Sequence, residues 1–157
     1  MANDSGFISK LEQWFVDTLA ALTYNSAKVF ITAAVWSHQV GPFSGGMEAF
    51  TRFQPFAFVS RGDVDSAREG DYDLRQVVDI IILIGVESVA DGIARYGDAD
   101  HLGTNKIRDL VIAAFDKKHP GATIACDEIY YVGEMEVLDM PRRHALEMRF
   151  EANFMTV

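Results

Sequence analysis

The stretch Arg75–Val86, reading Arg-Gln-Val-Val-Asp-Ile-Ile-Ile-Leu-Ile-Gly-Val, limits what this chain can fold into more than any other. Seven of its residues are β-branched, and between Val77 and Ile84 only Asp79 is polar. A strand with one wet face alternates apolar and polar residues, whereas a strand covered on both faces reads as a continuous apolar run. The run is too short to cross a bilayer, which takes about 20 apolar residues. It is therefore expected to be the central strand of a sheet, with one face under helices and the other against a second cover, part of which another subunit can supply. Burying its aliphatic side chains contributes roughly 10–20 kcal/mol gross, an upper bound because the unfolded chain is not fully extended. Asp79 interrupts the run, where an unpaired carboxylate is costly. Pairing with Arg75, pairing with Arg149 across the sheet, or an outward-facing edge contact would each resolve it.

The rest of the chain supplies what such a strand needs. Ile8, Leu11, Phe15, Leu19 and Leu22 recur at helical spacing, with Trp14 widening the stripe, and predict an amphipathic helix of about four turns. Asn3, Asp4 and Ser5 are its N-cap candidates, and Ser9 with Glu12 has capping-box spacing for a later start. Asn25-Ser26 breaks the helix. Lys28–Trp36 is expected to be a first strand, with Val29, Ile31, Ala33 and Val35 on one face. Gly41–Gly46 is expected to be a loop, and Pro55–Ser60 a second strand. A polar insertion follows, in which Asp63, Asp65, Glu69, Asp71 and Asp73 accompany Arg61 and Arg68. Lying between two apolar strands, it is expected to be a solvated loop at the tip of a long hairpin, exposed to solvent or to a partner.

Beyond the central strand, Asp91, Gly92, Gly97, Asp98 and Gly103 mark irregular backbone. A second helix is expected from Thr104, read as its N-cap, with Ile107, Leu110, Val111, Ala114 and Phe115 buried. Lys117, Lys118 and His119 would occupy its last turn, and Pro120-Gly121 would stop it. Thr123–Val132 is read as a strand that Gly133–Met140 either continues or turns away from. In the last strand Leu146, Met148, Phe150, Ala152 and Phe154 alternate with Glu147, Arg149, Glu151 and Asn153, which predicts one buried and one wet face. The fold class is α+β: a mostly antiparallel sheet with a long hairpin, packed against two α-helices, in a single domain over 1–157.

Composition narrows the function classes. A net charge of −9 disfavours gripping nucleic acid, which needs clustered Lys and Arg. The single cysteine, Cys126, forbids an intrachain disulfide, and the N-terminus lacks a signal-peptide pattern, so a cytoplasmic site of synthesis is expected. His38, His101, His119 and His144 show no paired ligand spacing, so no metal site is expected. The acidic insertion is not a calcium loop, since counting from Asp63 the glycine position holds Arg68 and the closing glutamate position Leu74. Arg61-Gly62-Asp63 spells an adhesion tripeptide, a chance-level match. Asp127 and Glu128, adjacent on a strand, point to opposite faces, and Glu134 with Glu136 reads as a solvated edge. Cys126 reads as a small buried hydrophobe. Phosphate-loop, dinucleotide and nucleophile-elbow motifs are absent from the sequence. No enzymatic activity, cofactor or catalytic residue is expected.

The order of these parts resembles the tail terminator (tail completion) proteins of long-tailed bacteriophages and related tail-like particles, including the lambda-type and Mu-like families. The likeness rests on the N-terminal helix Ile8–Leu22, the hairpin entered through Pro55–Val59 and left through Arg75–Ile82, the helix Thr104–Lys118 and the alternating strand Leu146–Phe154. Gly41–Phe53 and Glu134–Pro141 have no counterpart. The resemblance implies a virion protein of the tail or neck, assembled in the host cytoplasm as a homohexameric ring. Such a ring caps the head-proximal end of the tail tube and joins it to the head connector, with DNA only passing through its bore. Its implied partners are itself, the tail tube protein and a head-completion protein, with no membrane. Arg61, Asp63, Asp65, Arg68, Glu69, Asp71 and Asp73 are then the candidate protein–protein contacts. A stopper or joining protein of the same junction is the nearest alternative, and a small α+β ligand-binding domain or enzyme the next.

Overall fold

The computed structural model describes residues 6–36, 54–69, 73–121, 124 and 126–156. Helix α1 (Phe7–Ala21) opens the chain, followed by a two-residue-strand hairpin, β1 (Thr23–Tyr24) and β2 (Ala27–Lys28). Strands β3 (Thr32–Val35), β4 (Phe56–Glu69) and β5 (Asp73–Glu87) come next, then the short helix α2 (Ile93–Tyr96) and helix α3 (Thr104–Phe115). Strands β6 (Ile129–Met140) and β7 (Arg143–Thr156) complete the chain. Five strands make one sheet in the order β3-β4-β5-β7-β6, antiparallel throughout except that β3 runs parallel to β4. The α+β class with a mainly antiparallel sheet is what the patterning predicts.

Strand β5 is central and covered on both faces. Val78, Ile80, Ile82, Ile84 and Val86 point into the core shared with the helices. Ile81 and Leu83 point the other way, where Leu83 packs with Phe56, Phe58 and Ala145 beneath Trp36, Val137 and Leu138. The second cover is therefore at least partly intramolecular. On the helix side Leu11, Phe15 and Leu19, at i, i+4 and i+8, bury one stripe of α1, while Ile107, Val111 and Phe115 do the same for α3. Phe15 stacks on Phe115 with ring centroids 4.4 Å apart, and Phe115 meets Phe150 of β7 edge-on at 5.6 Å. These rings tie both helices to the sheet, each pair adding about 0.5–1.5 kcal/mol beyond its buried area.

Several expectations change in detail. Asn25 and Ser26 do not end the helix; both take positive φ and form the turn between β1 and β2, a position asparagine tolerates. The first strand is only Thr32–Val35: Val29 and Phe30 are buried before it begins, and Ile31 is exposed. Helix α1 starts at Phe7 behind Gly6, so Ser9 and Glu12 lie inside it and form no capping box. Gly103 rather than Thr104 is the N-cap of α3, which ends at Phe115 before Lys117, Lys118 and His119. The last long hairpin begins at Ile129, not Thr123, and β6 continues to Met140 through two bulges. Asn3, Asp4, Ser5, His38 and the loop Gly41–Gly46 lie outside the described residues.

One close approach fixes the register of the central pair. Phe56 and Gly85 are cross-strand partners, and a Cβ on Gly85 would fall 2.2 Å from the Phe56 ring. The bare glycine gives the ring its seat. Gly85→Ala is expected to cost about 1–3 kcal/mol by overpacking, and Gly85→Val more. Urea unfolding measures this, and an unchanged midpoint for Gly85→Val would contradict the packing described.

Candidate functional site

The most connected polar cluster lies where α2, α3 and the β6–β7 hairpin meet. The backbone between α2 and α3 is drawn tight there: Gly97 has φ +74°, and a Cβ on Gly103 would stand 2.4 Å from the Gly97 nitrogen. That closeness sets Thr104 at the first turn of α3, fully buried, with its hydroxyl against Nδ1 of His144 on β7. His144 is only 1% exposed, and its Nε2 lies 2.7 Å from Oε2 of Glu136 on β6. Arg95 of α2 pairs with Glu136 and reaches Oδ2 of Asp139 at 3.2 Å.

With a carboxylate on Nε2, that nitrogen carries the proton, and in the neutral ring Nδ1 accepts the Thr104 hydroxyl hydrogen. The hydrogen bond from His144 holds the Glu136 carboxyl below the usual glutamate range, and the Arg95 charge adds to this. Hydroxyl, imidazole and carboxylate thus stand in the order of a nucleophile relay. The chemistry is blocked by burial: a nucleophile must meet its substrate, and Thr104 has no exposed surface. Glu136, Asp139 and His144 also present ligand atoms within 4.8 Å of one another, a grouping that sequence spacing did not reveal because the β6–β7 turn creates it. The Arg95 guanidinium already pairs with both carboxylates. The cluster works as a clamp joining α2, α3, β6 and β7.

Among the described residues, two further histidines make surface contacts: His101 with Asp98 at 2.9 Å, and His119 with Glu128 at 3.7 Å. Cys126 is half-buried, and desolvation pushes its thiol up to about 11, which suppresses the thiolate. Glu134 meets Arg108 and the Tyr131 hydroxyl on the helix side rather than standing free at an edge.

The acidic insertion is not a loop. Strands β4 and β5 remain paired from Val64↔Val78 to Glu69↔Asp73, so the hairpin is strand almost to its tip. A register shift between Arg61 and Val64 sets Gly62 and Asp63 against Asp79, with a Gly62 Cβ position 3.1 Å from the Asp79 Cβ. Arg61, Asp63, Asp65 and Arg68 are all exposed along β4. Glu69 and Asp73 are strand partners at the tip, their side chains outside the described residues, as is Asp71. Asp79 faces away from the helices, and the Arg149 charge favours its ionisation. Desolvation, with Asp63 and Asp65 nearby, outweighs this and holds its carboxyl above the usual aspartate range.

At the opposite end of the sheet lies a groove of about 890 Å³, between the β1–β2 hairpin, the end of β5 and the α2–α3 connection. Tyr24, Ile31, Val89 and Tyr96 line it and are among the few exposed large hydrophobic residues of the described chain. Among the described residues no helix is long and apolar enough to cross a membrane. Neither a known protein family nor any curated protein sequence matches this chain.

The clamp carries its own pH signature. Because the folded-state value of Glu136 is depressed, its stabilisation is complete above the ordinary glutamate value of 4.5 and is lost as pH falls below it. Glu136→Gln is expected to melt below wild type near neutrality, with the gap closing as pH drops through that window. Thermal melts across the acid range test this, and a gap independent of pH would contradict it.

Proposed function

We propose that this chain is a structural, ring-forming protein of the tail terminator type, which caps the head-proximal end of a tail tube and joins it to the head connector. The observation that carries the reading is the presence of two unlike exposed surfaces on one sheet: the acidic outer stretch of β4 at Asp63 and Asp65, and the apolar groove at the end of β5. A tube end is an unsatisfied heterologous interface, and growth stops when a ring mates with it through one surface and presents a different one beyond. A block whose two ends differ suits that task, whereas a self-complementary patch would give a closed dimer.

The cluster that most resembles a reaction centre is sealed, which favours a binding role over catalysis. The net charge of −9 suits a bore through which DNA passes without adhering. In this reading the protein resides in the tail or neck of a virion, and its partners are further copies of itself, the tube protein and a head-completion protein. The sixfold symmetry follows the family likeness of the sequence.

Purified protein is expected to form rings with a central hole by negative-stain microscopy, and to shorten tubes when added to polymerising tube protein. A chain that stays monomeric at high concentration and leaves tube length unchanged would overturn the proposal.

A further inference from the structure

The exposed apolar surface of this chain is gathered in two places, and the charges beside them are opposite. Of the nine large hydrophobic residues exposed among those described, four line the groove (Tyr24, Ile31, Val89 and Tyr96) and four belong to the edge strand β6. Lys28 and Lys106 stand in the groove. No carboxylate lies within ion-pair distance of either among the described residues, and Lys106 holds its Nζ 5.3 Å from the centre of the Tyr24 ring. The groove's own carboxylates are mostly committed. Glu87 is paired with Arg143, and Asp98 is occupied by His101 and by the backbone N–H groups of Asp100 and His101. Asp100 stands on the rim.

The apolar surface of β6 is the converse. Tyr130 and Met135 are the cross-strand partners of Glu151 and Glu147, which alternate with the core residues Met148, Phe150 and Ala152. Both therefore point away from the helices, with Val132 at the bulge between them, and the three make a ridge. Carboxylates gather at its Tyr130 end. The Tyr130 hydroxyl donates to Oε2 of Glu128 at 3.2 Å, and Glu128 first, then Asp127 and Asp116, hold the phenol above the usual tyrosine range. His119 reaches Glu128 at 3.7 Å, a contact that carries charge only when the imidazole is protonated. Like charges crowded on an exposed edge repel one another, and a partner's cations would relieve that repulsion.

One chain cannot join its own two surfaces. The ridge faces away from the helices, whereas the groove is walled by the α2–α3 connection and the first turn of α3. Tyr130 is level with Glu151 and Asp79, and the groove with Val86 and Glu87 further along β5. At about 3.4 Å per residue, Asp79 and Glu87 stand roughly 27 Å apart. We infer that the β6 ridge of one copy docks in the lysine-bearing groove of the next, with Asp127 and Glu128 meeting Lys28 and Lys106. The apolar side chains supply the buried centre of the contact, and the charges fix which surfaces meet. Ridge and groove differ, so the contact is heterologous, and repetition gives a ring when the rotation closes. The inference rests on the ring-forming reading above and supplies its subunit contact.

Two charge-reversed variants of the full chain test it: Lys28→Glu with Lys106→Glu in the groove, and Asp127→Lys with Glu128→Lys beside the ridge. Light scattering over a concentration series is expected to show association of the wild type that weakens with salt. Each variant alone should associate at least about tenfold more weakly. Mixing the two should restore assembly, because both the native and the reversed pairings become available, and thermal melts check that each is folded. Where a reversed variant does not melt cooperatively, Lys28→Gln with Lys106→Gln, or Asp127→Asn with Glu128→Gln, replaces it, and weakened association is expected again. Folded variants that assemble alone like wild type, or a mixture of folded reversed variants that stays dissociated while the wild type assembles, would overturn this contact and leave the ring reading standing. A wild type that is monomeric throughout would overturn both.

Discussion

Strand β5 has no solvent-facing side along its inner half, and the rest of the fold answers that condition. Its even-numbered residues from Val78 to Val86 require a helical layer, which α1 and α3 supply through Phe15, Phe115 and their neighbours. Its odd-numbered residues require a second cover, begun by Phe56, Phe58, Ala145 and Trp36. Because side chains alternate with a period of two, a one-residue slip of β4 or β7 would exchange these layers, so the double burial also specifies register. The Phe56 ring over Gly85 adds a steric lock at the point where the strands enter the sheet.

Beyond Asp79 the same strand changes character. The pairing with β4 continues, but its partners from Asp65 to Arg68 are exposed, and the bulge at Gly62–Asp63 separates a packed inner hairpin from a more solvated outer one. At the opposite end, the Thr104–His144–Glu136–Arg95 clamp and the glycine-tight turn before α3 hold one wall of the groove in place. The fold thus reads as a rigid middle with two differently built ends. That division connects the packing of the core to the assembly role proposed.

Much of this was legible in the residues, because hydrophobic periodicity reports burial directly. The apolar run of β5, the alternation from Leu146 to Phe154 and the i, i+4 stripe of α1 each occupy the element and face expected of them. Boundaries were less legible. Thr104 looks like an N-cap because threonine often is one, yet its hydroxyl is taken by His144, and no local pattern records a partner 40 residues away. The insertion looked like a loop because its side chains are polar, but an exposed hairpin needs only backbone pairing to remain strand. Glu147 was read as wet. The structure buries it beside Leu83, and desolvation holds its carboxyl above the usual glutamate range despite the nearby Arg149 charge. The groove was not legible at all, since its walls come from segments spread between Tyr24 and Lys106.

The claim that joins these features is that the inner half of β5 holds the fold together while, in the proposed ring, the outer stretch of β4 and the groove face other copies. Hydrogen–deuterium exchange of the wild type at low and high protein concentration tests this most directly. Amides from Ile80 to Val86 should be protected at both concentrations. Those of Arg61–Arg68 and of the Tyr24–Lys28 hairpin should exchange rapidly in dilute solution and slow as the protein is concentrated. An exchange profile that does not change with concentration in those two segments, while scattering shows the protein to be assembled, would contradict the account.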